Sequence, residues 1–191
     1  AKISRGANRI PVSIDRIPQH VRDAFVYIED ERFYEHAGVD WKRTFGAFLN
    51  ELTHGMLYNS KQGGSTITQQ LIKNVTGDKE QNMDRKMREI FRAADLEKYR
   101  TKDEILEAYL NCVGMGGSCS GIQAAALKYF GKDVSELDLA EAACLAAIPK
   151  SPENLNPFAN KEANRERQLL VLKAMYNNAA ISKQQYDDAV N

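Results

Sequence analysis

Apolar residues recur along most of this chain at three- and four-residue intervals, and that spacing predicts helix after helix. Val21, Ala24, Phe25 and Ile28 mark a first helix over 18–32, with Pro18 in its first turn, where a missing N–H costs nothing. Trp41, Phe45, Phe48, Leu49, Leu52 and Met56 form the apolar stripe of a second, amphipathic helix, and Lys42, Arg43, Asn50 and Glu51 fall on its other side. Gly63-Gly64 then breaks the chain, and Ser65 or Thr66 can cap a helix reaching Asn74. Further helices are predicted over 83–99, 102–112, 122–129, 137–148 and 161–178. Thr101 with Glu104, and Ser182 with Gln185, have the spacing of capping boxes. In the helix over 83–99, Met83, Met87, Ile90, Phe91 and Ala94 make the apolar face. The best strand candidate is the short Arg9-Ile10-Pro11-Val12. The pattern therefore predicts a mainly α fold without internal repeats.

Composition narrows the class. At 191 residues the chain fits one domain, or one domain with two lobes, and 43% apolar content is enough for a sizeable core. The 26 basic and 26 acidic side chains cancel, so net charge gives no support for nucleic-acid binding. No apolar run reaches the roughly 18 residues of a membrane span, and no signal peptide is visible; an anchor upstream of Ala1 is compatible with this. The three cysteines, Cys112, Cys119 and Cys144, lack the CxxC spacing of a structural zinc site. Cys112 and Cys119 fit either a disulfide or two free thiols.

Three clusters carry candidate chemistry. Glu29 follows Phe25 by one turn and stands at the edge of the first helix's buried stripe, where desolvation favours a protonated carboxyl suited to proton transfer; the alternative is a surface acid flanked by Arg32. In Gly63-Gly64-Ser65-Thr66-Ile67-Thr68-Gln69-Gln70, a glycine turn feeds a helix start whose free N–H groups suit an anion, with Lys73 further along. The alternative is a well-capped ordinary helix, and the spacing is not that of a P-loop. In the third cluster Glu89 has Arg85 and Lys86 one turn before it and Arg92 one turn after, which keeps it ionised, unless these are only surface salt bridges. Two glutamates in opposed environments fit an acid/base pair with divided roles, and the cations between them suit transfer of a sugar from a phosphate leaving group. His36 and His54 lack the partnered spacing of metal ligands, and His36 is read as a structural hydrogen-bonding residue.

Taken in order, these stretches resemble glycosyltransferase family 51, the transglycosylase part of class A penicillin-binding proteins and monofunctional peptidoglycan glycosyltransferases. The resemblance rests on Glu29-Asp30-Glu31-Arg32-Phe33-Tyr34-Glu35-His36-Ala37-Gly38, on Gly63 through Asn74, on Arg85-Lys86 with Glu89, on Ile105 through Asn111, on Gly121-Ile122-Gln123 with Tyr129-Phe130-Gly131, and on Pro149-Lys150-Ser151-Pro152 with Asn156-Pro157. It implies a lysozyme-like fold over 1–191, with a larger head and a smaller membrane-facing jaw that includes 41–62. It implies polymerisation of lipid II with inversion, releasing undecaprenyl pyrophosphate at the outer face of the bacterial cytoplasmic membrane. Glu29 and Glu89 match the catalytic glutamates. Ser65, Thr66, Gln69, Gln70, Lys73, Arg85, Lys86 and Asn156 match substrate-binding positions. A divalent cation, Mg or Mn, at the diphosphate is also implied, with no organic cofactor. So are lipid II, the growing glycan strand, the membrane and other cell-wall proteins as partners.

The chain departs from the family pattern at Gln81, where many members carry arginine, with Lys79 as a substitute cation, and in the loop Cys112-Val113-Gly114-Met115-Gly116-Gly117-Ser118-Cys119. Competing readings are a lysozyme-like hydrolase or lytic transglycosylase, against which the Gly-Gly-Ser-Thr and Arg-Lys clusters speak, and a non-catalytic precursor-binding module, against which both glutamates speak.

Overall fold

Phe25, Val21, Ala24 and Ile28 are buried on one helix, α1 (Gln19–Glu29), as their spacing predicts, and each large side chain so enclosed contributes about 1.5–3 kcal/mol. In the computed structural model, which describes residues 9–44, 64–77 and 83–191, this helix runs through the middle of the core. It packs against α6 (Leu139–Ala147) and α7 (Lys161–Asn177), which also pack on each other, and α8 (Lys183–Val190) lies on α7. A second group is built on α2 (Ile67–Thr76), which packs against α3 (Met83–Leu96) and α4 (Lys102–Cys112). α5 (Ile122–Phe130) touches both α4 and α6 and so links the two groups. Among the described residues the fold is helical, and no helix is long and apolar enough to cross a membrane.

Helix starts follow local chemistry. Thr66 caps α2: its hydroxyl accepts the Gln69 N–H at 3.2 Å while Gln69 Oε1 accepts the Thr66 N–H at 2.9 Å. The reciprocal boxes at Thr101/Glu104 and Ser182/Gln185 form as predicted, and Asp138/Glu141 adds another at α6.

Four expectations change. First, Arg9–Val12 forms no strand; instead the Asn111 side-chain amide pairs with Val12 on both sides, accepting its N–H at 2.9 Å and donating to its carbonyl at 2.8 Å. Second, α1 ends at Glu29 rather than Arg32, because the Asp30 carboxylate leaves the helix to accept the Ile67 N–H at 2.9 Å at the start of α2. Third, α3 is turned over relative to its apolar pattern. Its buried residues are Glu89 and Ala93, whereas Met83, Met87 and Phe91 are exposed, Phe91 by 67%. The ion pairs of Glu89 and the bond from Lys86 to Ser65 hold the charged stripe inward, and residues at i, i+4 and i+8 on the opposite side must then face out. Fourth, Arg43 is buried rather than displayed: it pairs with Asp30 at 3.4 Å and donates to the Ser65 carbonyl. Trp41 and Lys42, beside it, are exposed. The remainder of the 41–62 segment, His54, Lys79 and Gln81 lie outside the described residues.

The loop that departs from the family pattern is a tight hairpin. Gly114 and Ser120 pair across it, and the Met115 N–H bonds the Cys119 carbonyl at 3.0 Å. Gly116 turns it at φ +84, where a Cβ would stand 2.7 Å from the Pro152 carbonyl, so only glycine lets this hairpin rest on the 149–152 loop. Cys112 and Cys119 are free, buried thiols rather than a disulfide.

Candidate active site

The site is assembled by Asp30. Its carboxylate is wholly buried and accepts from the Ile67 N–H, from His36 Nε2 at 3.0 Å and from Arg43 Nη1 at 3.4 Å. One acid thus ties the end of α1, the turn after it and the start of α2, where the helix dipole also favours negative charge. His36 is structural, as its sequence context suggests. Gly38 completes the joint: at φ +82 it lies so close to α3 that a Cβ would be 2.4 Å from the Ala93 carbonyl, and its own carbonyl accepts the Thr66 hydroxyl at 2.7 Å. Asp40 adds a third tie. Burial works against its ionised form, but the Arg43 N–H and the Arg32 guanidinium outweigh that and hold its pKa below the usual carboxylate value.

With these elements locked, a cleft of about 440 Å³ opens between α1, α2, α3, α7 and the 113–114 and 149–152 loops. Glu29, Ser65, Gln69, Gln70, Lys73 and Glu89 all line it. Glu29 keeps 11% side-chain exposure: Oε2 accepts from Gln70 Nε2 at 2.8 Å, and Oε1, a buried atom 3.9 Å from Arg167 Nη2, has no hydrogen-bond partner among the described residues. Behind Gln70, the buried Tyr109 hydroxyl donates to Gln70 Oε1 at 3.3 Å. Burial, and then the Glu29 charge, push the Tyr109 phenol well above its usual pKa, so it stays protonated.

Glu89 is in the opposite situation. Arg85 Nη1 bonds one oxygen at 2.7 Å and Lys86 Nζ the other, while Lys86 also reaches Ser65 Oγ at 2.9 Å. A carboxylate gripped by two cations is held in place. Lys73, Lys150 and Arg167 add positive charge along the cleft walls. Both Glu89 oxygens are occupied, and no group of three or more His, Cys, Asp or Glu converges among the described residues. The donor set therefore does not fit a resident divalent ion.

The remaining predicted site residues lie elsewhere. Thr66 is buried, its hydroxyl spent on the Gly38 carbonyl and the Gln69 cap. Arg85 faces a small adjoining cavity with Lys73, Thr76, Arg88, Glu89 and Arg92. Asn156 Oδ1 accepts the Phe158 N–H at 2.9 Å and does not line the cleft.

The structure adds Arg167 and Tyr109, which sequence reading did not single out, and gives Lys150 a place on the wall. A signal for Arg167 existed: Asn164 and Gln168 continue the inward stripe of Val171 and Met175 with buried polar groups, and Arg167 stands beside them.

A family model described as Transglycosylase matches residues 1–176. The chain belongs to this transglycosylase family, glycosyltransferase family 51. It is 42% identical over 187 residues to penicillin-binding protein 1A of Clostridium tetani, covering 95% of this chain and 24% of that protein. It is 45% identical to penicillin-binding protein 1A of Aquifex aeolicus, over 96% of this chain and 25% of the relative. Penicillin-binding protein 1F of Bacillus subtilis is 43% identical over 92% of this chain and 24% of its own length. The chain thus spans about a quarter of the length of these relatives. The crystal structure of penicillin-binding protein 1A from Haemophilus influenzae superposes with a TM-score of 0.59 and 27% identity, over 98% of this chain and 18% of that one. The helical architecture agrees with that neighbour, which accords with the lysozyme-like fold that the sequence implies for this transglycosylase.

Proposed function

We propose that this transglycosylase polymerises lipid II by inverting transfer, with Glu29 as base. The observation that carries the reading is one cleft holding two glutamates in opposed states: Glu29 with an oxygen free of hydrogen bonds, Glu89 with both oxygens engaged by cations. The Glu29 carboxylate takes the proton from the 4-hydroxyl of the acceptor N-acetylglucosamine. That oxygen forms its bond to C1 of the donor N-acetylmuramic acid as the bond from C1 to the phosphate oxygen breaks, and the electron pair leaves on undecaprenyl pyrophosphate. Glu89 acts on the leaving-group side by fixing Arg85 and Lys86; these and Lys73 stabilise the growing negative charge from positions set before reaction. A divalent ion is not required by this scheme; one that arrives does so with the diphosphate.

The lipid-linked substrate places the reaction at the outer face of the bacterial cytoplasmic membrane, beside other cell-wall synthesis proteins. Trp41, 65% exposed with Lys42 next to it, supports a membrane-facing start to the 41–62 jaw segment.

The test is Glu29→Gln. Gln70 can still pair with the amide, so the melting temperature is expected to hold while lipid II polymerisation falls by roughly 10²–10⁴-fold. A folded Glu29→Gln protein with near wild-type turnover removes the assignment.

A further inference from the structure

Two hydrogen bonds run in series behind the base. Gln70 Nε2 donates to Glu29 Oε2 at 2.8 Å, and the Tyr109 hydroxyl donates to Gln70 Oε1 at 3.3 Å. A glutamine amide presents a donor at one end and an acceptor at the other, and a half-turn exchanges them. Facing Glu29 with N–H, it supports the carboxylate that must accept a proton. Facing Glu29 with C=O, it supports the protonated acid, which cannot. An ionised Glu29 favours N–H, and a donor at the far end of the amide holds that face in place.

Tyr109 supplies that end. It stands on α4, has no exposed surface and does not line the cleft. Its hydroxyl remains protonated, so it offers Gln70 a hydrogen and not a negative charge. Turned round, the amide would set C=O against the carboxylate and lose that bond, and the Tyr109 hydroxyl would have to turn from donating to accepting. We propose that Tyr109 is a positioning residue for the base: its hydroxyl, donating to Gln70 Oε1, holds the Gln70 amide with N–H toward Glu29 Oε2 and so fixes the carboxylate that receives the acceptor's proton.

The proposal rests on Glu29 as base. Other groups around Glu29 come from each packed element: Arg167 from α7 at 3.9 Å, Lys73 from α2, Glu89 from α3 and Lys150 from the 149–152 loop along the same cleft. Asp30, its neighbour on the chain, is already paired with His36 and Arg43. These charges stay in place when one hydroxyl is removed, so the contribution of Tyr109 is separable.

Tyr109→Phe in the full chain tests it, since the ring keeps its packing. Steady-state polymerisation of lipid II should show kcat falling roughly two- to tenfold with KM unchanged, the effect of one hydrogen bond in the transition state. The acidic limb of the kcat/KM profile should move to higher pH, by about half a unit to one unit, because the carboxylate loses its fixed donor. Gln70→Leu should move the limb the same way, and adding Tyr109→Phe to it should cost less than about twofold more. Wild-type kcat and pH profile in Tyr109→Phe, an unmoved limb in Gln70→Leu, or a full additional loss in the double variant overturns the role. An inactive Glu29→Gln beside a wild-type-like Tyr109→Phe removes only Tyr109; an active Glu29→Gln removes the base reading itself.

Discussion

Asp30→Asn asks whether the second acid of the Glu29-Asp30 pair is scaffold or chemistry. The substitution keeps the shape but cancels a charge that is wholly buried. Arg43, itself 9% exposed at the side chain, then loses its buried counter-charge, and the Ile67 N–H and His36 lose an ionised acceptor. Breaking a buried pair from one side costs about 3–5 kcal/mol, and the charge-assisted bonds to the same carboxylate are part of that figure rather than additional to it. For a domain of this size the melting temperature should fall by roughly 6–20 °C. Calorimetry or circular dichroism measures the shift, and polymerisation assayed well below the variant's midpoint shows what activity the folded fraction keeps. Some loss is expected even there, because the start of α2, and with it Gln70, is no longer pinned against Glu29. A melting temperature within about 2 °C of wild type would refute the scaffold argument, and an inactive protein of that stability would move Asp30 into the chemistry.

Single alanine substitutions of Lys73, Arg85 and Lys86 should each weaken binding of the phosphoglycolipid moenomycin by roughly tenfold or more, as hydrogen bonds to charged groups contribute about 1.5–3 kcal/mol; titration calorimetry reads this, and wild-type affinity in all three places the diphosphate elsewhere. Burial pushes the Cys144 thiol up to about 11 and raises Cys112 and Cys119 as well, so the thiolate needed for alkylation becomes abundant only as pH climbs far above 8. The folded protein should therefore resist iodoacetamide at pH 8, and all three cysteines should react once it is denatured without reductant; a single reactive thiol would mean that Cys112 and Cys119 are bonded.

What could be read without coordinates was what neighbours in sequence decide. Helix starts were legible because Thr66 with Gln69, Thr101 with Glu104 and Ser182 with Gln185 satisfy each other within one turn. The buried stripe of α1 was legible for the same reason, since Val21, Ala24, Phe25 and Ile28 face one way on any helix. The clusters around Glu29, Gln70 and Glu89 were found as separate stretches, and family likeness joined them. The tertiary structure decided which way each face turned. Periodicity alone sends Met83, Met87 and Phe91 of α3 inward, but the desolvated ion pairs of Glu89 and the reach of Lys86 to Ser65 turn the helix the other way. Arg43 is read as a surface cation until Asp30, 13 residues away, is seen to bury it. Tyr109 lies 39 residues from Gln70, and Gln70 41 from Glu29. No local spacing records such contacts, because packing brings together groups that the chain itself keeps apart, and the setting of the Glu29 carboxylate depends on them.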